Sequence, residues 1–180
     1  EQISGLYMQL GGIDRGGKIR IIHEEVFGRT PTETEFNRIW NSFGKLSRQS
    51  MLSAPAAKGG SEVLAELGRR GKIRAALSNT PFDQLSEVLS GQGFRGLLDI
   101  VRGGGDWPKS MSLARFLKEF DFHPQNCLFL GDGKGDLAAA RTSGVPFVGI
   151  DAHRSEFDRE AGVLCVYPDL AEWAREAGLD

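Results

Sequence analysis

Two carboxylates four positions apart are the residues of this chain whose placement most suggests chemistry. Asp132 and Asp136 flank a glycine-rich turn at residues 131–135. The four apolar residues before it, 127–130, predict a short buried strand, and the alanine-rich residues 137–141 predict a helix after it. The carboxyl end of a parallel strand is where open α/β sheets bind ligands, and carboxylate oxygens suit Mg²⁺. The alternative is that either carboxylate only caps the helix.

Two further polar residues stand at a strand end or a helix start. Ser78 follows the predicted strand 73–77, and its hydroxyl, the amide of Asn79 and the N–H groups of a helix start suit an anion such as phosphate. Lys109 lies in the first turn of a predicted helix, where its charge opposes the helix dipole, which indicates that it holds a phosphate or a carboxylate. The alternatives are that Ser78 or Thr80 is an N-cap and that Lys109 is an ordinary exposed lysine.

Other site motifs fail on their spacing. The run that ends in Lys109 and Ser110 is similar to a P-loop, but Pro108 stands where that loop needs a glycine with its backbone N–H. No His/Cys spacing matches a zinc site, and the glycines of the turn lack the dinucleotide spacing. No Gly-x-Ser-x-Gly elbow of a serine hydrolase is present. Cys127 and Cys165 lie in apolar runs, so we expect buried free thiols and a reducing compartment.

The predicted secondary structure that positions these residues changes near residue 54, from helices alone to strands that alternate with helices. Residues 1–54 predict helices without strands, one that ends at Gly28 and a second that starts at Thr30-Pro31-Thr32. The Ala-Pro-Gly stretch 54–60 predicts a linker. Beyond the linker, helices alternate with strands, which predicts an α/β fold with a three-layer, Rossmann-like parallel sheet. We expect two domains, a small helical one at 1–54 and the α/β one at 55–180. The strands are predicted at 73–77, 98–101, 127–130, 147–150 and 164–166.

Composition narrows the range of partners. The 180 residues carry a net charge of −2, with both signs interspersed, so neither a nucleic acid nor an anionic membrane is indicated. An apolar content of 40% is enough for a core, but no apolar run is long enough to span a bilayer. The first ten residues do not match a signal peptide. We therefore expect a cytoplasmic protein.

The site residues resemble those of the haloacid dehalogenase superfamily of phosphohydrolases. Ser78, Lys109 and the turn from Gly131 to Asp136 match its second, third and fourth motifs in that order. The chain is most similar to phosphoglycolate phosphatase-like members with a small α-helical cap. Residues 1–54 resemble most of that cap, and Gly11-Gly12 is placed like its substrate loop.

The resemblance implies a Mg²⁺-dependent phosphatase that acts on a small phosphorylated metabolite, phosphoglycolate-like or a sugar phosphate. Ser78 and the backbone N–H of Asn79 would bind a phosphoryl oxygen, and Lys109 would neutralise charge on the phosphoryl group and the nucleophile. Asp132 would ligate Mg²⁺, with Asp136 as a second ligand or as the group that orients it. We expect a monomer or a homodimer.

The first motif of the family, an Asp-x-Asp pair after the first strand, has no counterpart here. One of its carboxylates forms an aspartyl-phosphate and the other is general acid and base. Asp14 lacks both a preceding apolar strand and a partner aspartate. We therefore expect that the chain begins inside the cap, that the nucleophile lies upstream, and that these 180 residues alone are inactive. In this superfamily the first strand lies between the strands that end at Ser78 and Asp132, so its loss would expose their edges or force them to pair.

Two alternatives stay open. A sugar phosphomutase or a haloacid dehalogenase would keep the fold and change the reaction; dehalogenases need no metal, so the retention of Asp132 and Asp136 favours phosphoryl chemistry. A non-catalytic chain that binds phosphate or a protein would explain the lack of a nucleophile. The intact residues at the other three motifs argue against it.

Overall fold

The chain begins with three helices. The computed structural model describes residues 2–10, 13–104, 109–152, 157 and 160–179. The helices are α1 (Gln2–Gln9), α2 (Arg15–Phe27) and α3 (Glu33–Ser53). The end of α2 at Gly28 is confirmed, because Gly28 has a left-handed φ of 67° that closes a helix without strain. The start of α3 is confirmed as well, since Thr32 and Glu35 form a reciprocal capping box.

The predicted alternation of strands and helices is confirmed after residue 60. The strand predicted at 147–150 has the predicted bounds, but the bounds of the other four strands shift. The strands predicted at 73–77, 98–101, 127–130 and 164–166 are Ala75–Pro81, Ile100–Gly104, Phe129–Gly131 and Val163–Tyr167, so Ser78 lies inside its strand and not after it. Residues 54–59 connect α3 to the next helix, as predicted for a linker. The division into domains 1–54 and 55–180 stays a prediction. In chain order the elements are α4 (Gly60–Arg69), β1 (Ala75–Pro81), α5 (Phe82–Gly91), β2 (Ile100–Gly104), α6 (Lys109–Glu119), β3 (Phe129–Gly131), α7 (Lys134–Ser143), β4 (Phe147–Ile150), β5 (Val163–Tyr167) and α8 (Leu170–Glu176).

The strands form two parallel sheets in the part of the chain that the structure describes. β1 pairs with β2, with Ala76 opposite Val101. β4 lies between β3 and β5, with Leu130 opposite Val148. No described ladder joins β1 to β3, so the strand that contains Ser78 and the strand that precedes Asp132 do not pair directly in the described part of the chain.

Helices cover both faces of these strands. Leu77 of β1 and Phe129 of β3 both pack against a cluster from α6 and α7 that includes Phe116 and Ala139. On the opposite face, Leu130 of β3 packs against the cluster that contains Val63 of α4. Adjacent strand residues point to opposite faces, so α4 and α6 lie on opposite sides of the strands. The result is a helix–strand–helix layering that fixes the strand ends in space.

Hydrogen bonds tie α3 to α5, and so join the first three helices to the α/β part. The amide of Gln92 donates to the carbonyls of Met51 and Ala54, each at 3.2 Å. Arg48 forms an ion pair with Glu87. Because backbone carbonyls and a charged pair both cross this junction, the orientation of α3 against α5 is specific.

Two expectations about compartment can be compared with the structure. Cys127 and Cys165 are both free thiols, but only Cys127 is half-buried; Cys165 is exposed, so its predicted burial is wrong. Among the described residues β5 pairs only with β4, so it lies at the edge of the described sheet, where Leu164 and Cys165 are both exposed. No helix of the described residues is long and apolar enough to cross a membrane.

Candidate functional site

The turn between β3 and α7 is built around the side chain of Asp136. That side chain is only 4% exposed, and its Oδ2 accepts a 3.2 Å hydrogen bond from the backbone N–H of Gly133. Gly131 leaves the space for it: a Cβ at Gly131 would lie 2.7 Å from Cγ and 2.8 Å from Oδ2 of Asp136. Asp132, between the two glycines, is exposed. The buried carboxylate therefore fixes a tight turn that presents the exposed one.

The turn brings together the two predicted metal ligands. The alternative that a carboxylate caps the helix holds for Asp136, which accepts a hydrogen bond from the backbone N–H of Gly133, the N-cap residue of α7. The donor set fits Mg²⁺, which takes oxygen ligands and is often held by only one or two carboxylates with several waters. The described residues contain no group of three or more His, Cys, Asp or Glu that could hold a metal. Asp151, directly after β4, also stands at a strand end, but it completes no such group with Asp132 and Asp136.

Ser78 lies where the regular pairing of β1 ends. The β1–β2 ladder is regular to Leu77 and shifts before Pro81. The Ser78 hydroxyl oxygen accepts a 3.1 Å hydrogen bond from the backbone N–H of Thr80, and no described residue accepts the hydroxyl proton. The capping alternative for Ser78 and Thr80 is wrong: the N-cap of α5 is Pro81, without a side-chain hydrogen bond. Ser78 thus keeps a donor for an anion.

The glycines at the end of β2 allow this geometry. A Cβ at Gly103 would overlap the backbone of Phe82, and one at Gly104 would overlap the backbone of Asn79. The segment after Ser78 can therefore pass closely over the end of β2. This close approach is a structural reason for a glycine run that only superficially resembles a P-loop.

Two predicted site elements are described in part or not at all. Lys109 is the first residue of α6, as expected, but its side chain lies outside the described residues. Gly11 and Gly12, the predicted substrate loop, also lie outside them. Their roles in substrate binding stay predictions.

A cavity of about 820 Å³ between α2, α3 and α5 was not predicted. Arg15 lines it, and its guanidinium donates a 3.2 Å hydrogen bond to the side-chain carbonyl of Gln84. Arg15 also lies over the rings of Trp40 and Phe43, at 5.1 and 5.0 Å from their centres. Burial lowers the pKa of Arg15, partly offset by Tyr7, but an arginine stays charged at neutral pH. Because the amide of Gln84 is neutral, this hydrogen bond does not neutralise the guanidinium of Arg15, whose charge can pair with an anionic ligand.

The cavity adjoins the Ser78 segment. Gln84 lies in the first turn of α5, which begins directly after β1. The hydroxyl of Thr80 lies 3.9 Å from the sulfur of Met51 on α3. The segment after Ser78 is therefore in contact with α3, one of the helices that line the cavity.

Asp14, His23 and His123 have structural roles, whereas His153 lies outside the described residues. Asp14 is the N-cap of α2 and accepts a 3.0 Å hydrogen bond from the backbone N–H of Gly17. His23 is buried, with Nδ1 at 2.9 Å from the carbonyl of Arg29. His123 is exposed and caps a short 3-10 turn at Pro124–Asn126.

The chain is similar to phosphoglycolate phosphatases. It is 28% identical to the phosphoglycolate phosphatase of Haemophilus influenzae (strain 86-028NP) over 131 residues, which are 68% of this chain and 57% of that protein. The chain thus spans little more than half the length of this curated relative. No protein-family model matches.

Solved structures of the same fold cover nearly the whole chain. A predicted phosphoglycolate phosphatase from Haemophilus somnus 129PT superposes with a TM-score of 0.74 at 20% identity, over 96% of this chain and 80% of that one. CbbY from Rhodobacter sphaeroides, in complex with xylulose 1,5-bisphosphate, superposes with a TM-score of 0.76 at 20% identity, over 97% of this chain and 80% of that one. The predicted α/β fold is confirmed by these superpositions.

Proposed function

Since the chain belongs to the haloacid dehalogenase superfamily and is similar to its phosphoglycolate phosphatases, we propose that it forms the metal- and phosphate-binding part of a Mg²⁺-dependent phosphomonoesterase. The observation that carries the proposal is the turn in which buried Asp136 fixes exposed Asp132 at the end of β3. A rigid carboxylate at the carboxyl end of a parallel strand suits a ligand site better than a helix cap does. We also propose that α1–α3 act as the cap over this site.

The roles follow from the chemistry of each group. Ser78 would donate its hydroxyl proton to a phosphoryl oxygen, because its oxygen already accepts from Thr80. Lys109, at the start of α6, would neutralise phosphoryl charge. Asp132 would hold Mg²⁺, and Asp136 would orient the turn through Gly133. A bound Mg²⁺ would supply the positive charge that lets an anionic carboxylate approach an anionic phosphate.

We infer that the attacking carboxylate comes from outside residues 1–180. Its oxygen would form a bond to phosphorus while the ester P–O bond breaks, and the second carboxyl group of the pair would protonate the leaving alcohol. Water, deprotonated by that same group, would then attack the acyl phosphate and release phosphate and the free carboxylate. Asp14 is unsuited to this role, since it caps α2. We therefore expect no phosphate release from an aryl phosphate by these 180 residues. Turnover that Asp132→Asn abolishes would contradict the inference.

Arg15 bears on the choice of substrate. Its charge lies in a cavity next to the Ser78 segment and has a neutral amide as its described hydrogen-bond partner. We propose that it binds a second anionic group of the substrate, the carboxylate of a phosphoglycolate-like ester or the second phosphate of a sugar bisphosphate. Arginine suits this task, because its planar fork pairs with either group.

The test of the proposed function is thermodynamic linkage between Mg²⁺ and inorganic phosphate, measured by titration calorimetry of the full chain. Each ligand should raise the affinity for the other by about tenfold or more. Asp132→Asn should remove the linkage. Asp14→Asn is the matched control, because it also neutralises an aspartate and asparagine caps a helix equally well.

Two outcomes would overturn the proposal. A phosphate affinity that does not change when Mg²⁺ is added would favour the metal-independent dehalogenase alternative or a chain that only binds phosphate. Linkage that persists in Asp132→Asn would show that the metal does not bind at the turn after β3.

A further inference from the structure

One face of α2 lines an apolar cavity that the proposed function does not use. The cavity measures about 490 Å³ and lies between α1, α2 and α3. Its lining residues on α2 recur three or four positions apart from residue 15 to residue 27, which is the spacing of one helical face. The face begins with two cations and continues mainly with apolar side chains: Arg15, Lys18, Ile19, Ile22, Val26 and Phe27.

Residues of α1 and α3 complete the walls of this apolar cavity. Ile3 and Tyr7 line it from α1, and Ile39 and Phe43 line it from α3. Large apolar side chains at the cavity stay in contact with water, since Phe27 is 65% exposed and Ile3 is 55% exposed. Because the removal of apolar surface from water is favourable, an apolar ligand that covered these side chains would be stabilised.

Lys18 places a positive charge at one end of the cavity. The residue is half-buried, and its Nζ lies 4.2 Å from the centre of the Tyr7 ring. No carboxylate in the described part of the chain forms an ion pair with it. Burial lowers the pKa of Lys18, because the charged ammonium loses water. An anion beside Nζ would offset this cost.

Arg15 is the second cation at this end, but its guanidinium is held at the other cavity. It bonds Gln84 and lies over the rings of Trp40 and Phe43. Lys18 is not among the residues that line the cavity of about 820 Å³. Since like charges on one helix face repel each other, an anion at Lys18 would also reduce the repulsion between these two cations.

The dimensions of the apolar cavity fit one extended alkyl chain. Lys18 and Val26 are eight positions apart on α2, which at 1.5 Å per residue is about 12 Å. An extended chain advances about 1.2 Å per bond, so about ten carbons cover this length. If each carbon fills roughly the 30 Å³ of a water, ten carbons need about 300 Å³ of the 490 Å³. A helix of the same length, about 10 Å wide, would need roughly 900 Å³.

We propose that this cavity binds a free medium-chain fatty acid, with its carboxylate on the ammonium of Lys18 and its alkyl chain along the apolar face of α2. A pocket that is mostly apolar, with one charged group at its end, suits a ligand that is itself apolar with one charged end. The inference uses neither Ser78 nor Asp132, so it does not rest on the proposed function.

The experiment titrates the full chain with decanoate below its micelle concentration and follows the isoleucine methyl groups by NMR. The methyl resonances of Ile19, Ile22 and Ile39, which line the cavity, should shift in a saturable way. Ile21 is the matched control, because it lies on the same helix but outside the cavity. Its resonance should not change.

The role of the charge is tested with Lys18→Met, which keeps an unbranched apolar stem and removes the ammonium. This variant should weaken decanoate binding about tenfold or more, the usual effect of losing a charged hydrogen bond, and leave decanol binding unchanged. Lys45→Met is the matched control, because Lys45 is an exposed lysine of α3 outside this cavity. It should leave both affinities unchanged.

The size of the cavity is tested with a series of fatty acids from four to fourteen carbons. Each methylene up to about ten carbons should raise the affinity by up to about fourfold. Beyond that length the gain should stop, because the end of the chain leaves the cavity. Adsorption to an unspecific apolar surface would have no such limit.

Several results would overturn the site. One is decanoate that leaves the three methyl resonances unchanged, and another is an affinity that keeps rising beyond ten carbons. Equal losses of decanoate and decanol in Lys18→Met would contradict the ion pair. Shifts of the same methyl groups with an amphipathic helical peptide but not with decanoate would assign the cavity to a helix, and shifts with protein concentration alone would assign it to a second copy. None of these results bears on the Mg²⁺–phosphate linkage, which tests the proposed function separately.

Discussion

Replacement of Gly131 by alanine should disrupt the turn that presents Asp132. The new Cβ would lie 2.7 Å from Cγ of Asp136, whereas carbon atoms in contact normally stay about 3.5 Å or more apart. Cβ of Asp136 would lie closer still, and because that atom moves only with the backbone, the first turn of α7 would have to shift by roughly 1 Å. Asp136 cannot move freely, because it is 4% exposed and the next residue of α7, Leu137, is 1% exposed.

Overpacking of this kind costs about 1–3 kcal/mol, and the Gly133–Asp136 hydrogen bond would be strained as well. For a chain of this size, each kcal/mol lowers Tm by about 2–4 °C, so we expect a decrease of roughly 2–12 °C by differential scanning calorimetry. The affinity for Mg²⁺ should fall too, because the turn that holds Asp132 is displaced.

Gly133→Ala is the matched control in the same turn. Its Cβ would lie 3.8 Å from Oδ2 of Asp136, an ordinary contact, and its φ of −134° is open to any residue. We expect a loss below about 1 kcal/mol, the usual scale of an N-cap change. Equal stabilities of the Gly131→Ala and Gly133→Ala variants would refute the claim that Asp136 is packed beneath Gly131.

Three further outcomes are expected. Ser78→Ala should weaken phosphate binding about tenfold or more, the usual effect of losing a hydrogen bond to a charged group, whereas Ser90→Ala on the outer face of α5 should not, as calorimetry can measure. Arg15→Gln should weaken binding of phosphoglycolate about tenfold or more but leave inorganic phosphate unchanged; equal losses would contradict its role in binding a second anionic group. Hydrogen bonds from Arg74 lower the pKa of Asp99 to about 2, so the stability that this pair contributes is present above about pH 4 and is lost as the pH falls toward 2. The free energy of unfolding of Asp99→Asn, measured in urea, should therefore fall less between about pH 4 and pH 2 than that of the unchanged protein.

Local signals predicted the end of α2 and the start of α3, but not the bounds of most strands. Gly28 ends α2 and Thr32 starts α3, because both act through backbone groups within four residues of themselves. The turn from Gly131 to Asp136 is equally local, since its carboxylate bonds an N–H three residues away. The position of Lys109 at the start of α6 was predicted for the same reason.

Contacts between distant segments were not predictable. Arg15 meets Gln84 across 69 positions, and nothing in the spacing of either residue indicates that contact. Ser78 does not cap α5, because β1 continues to Pro81 and Pro81 is the N-cap residue. The backbone between Ser78 and α5 is positioned by its close approach to Gly103 and Gly104, which are distant in sequence. The apolar run around Cys165 gave no sign that β5 is an edge strand, because edge position is a property of the whole sheet.

The central claim is that Ser78 and Asp132 face one metal-assisted phosphate site. Paramagnetic broadening by Mn²⁺ in place of Mg²⁺ tests it most directly, because it reports on every amide near the ion. We predict that the amides of residues 131–136 and 78–80 broaden together and that Asp132→Asn abolishes both effects. Broadening of residues 131–136 without residues 78–80, or broadening that survives Asp132→Asn, would contradict the account.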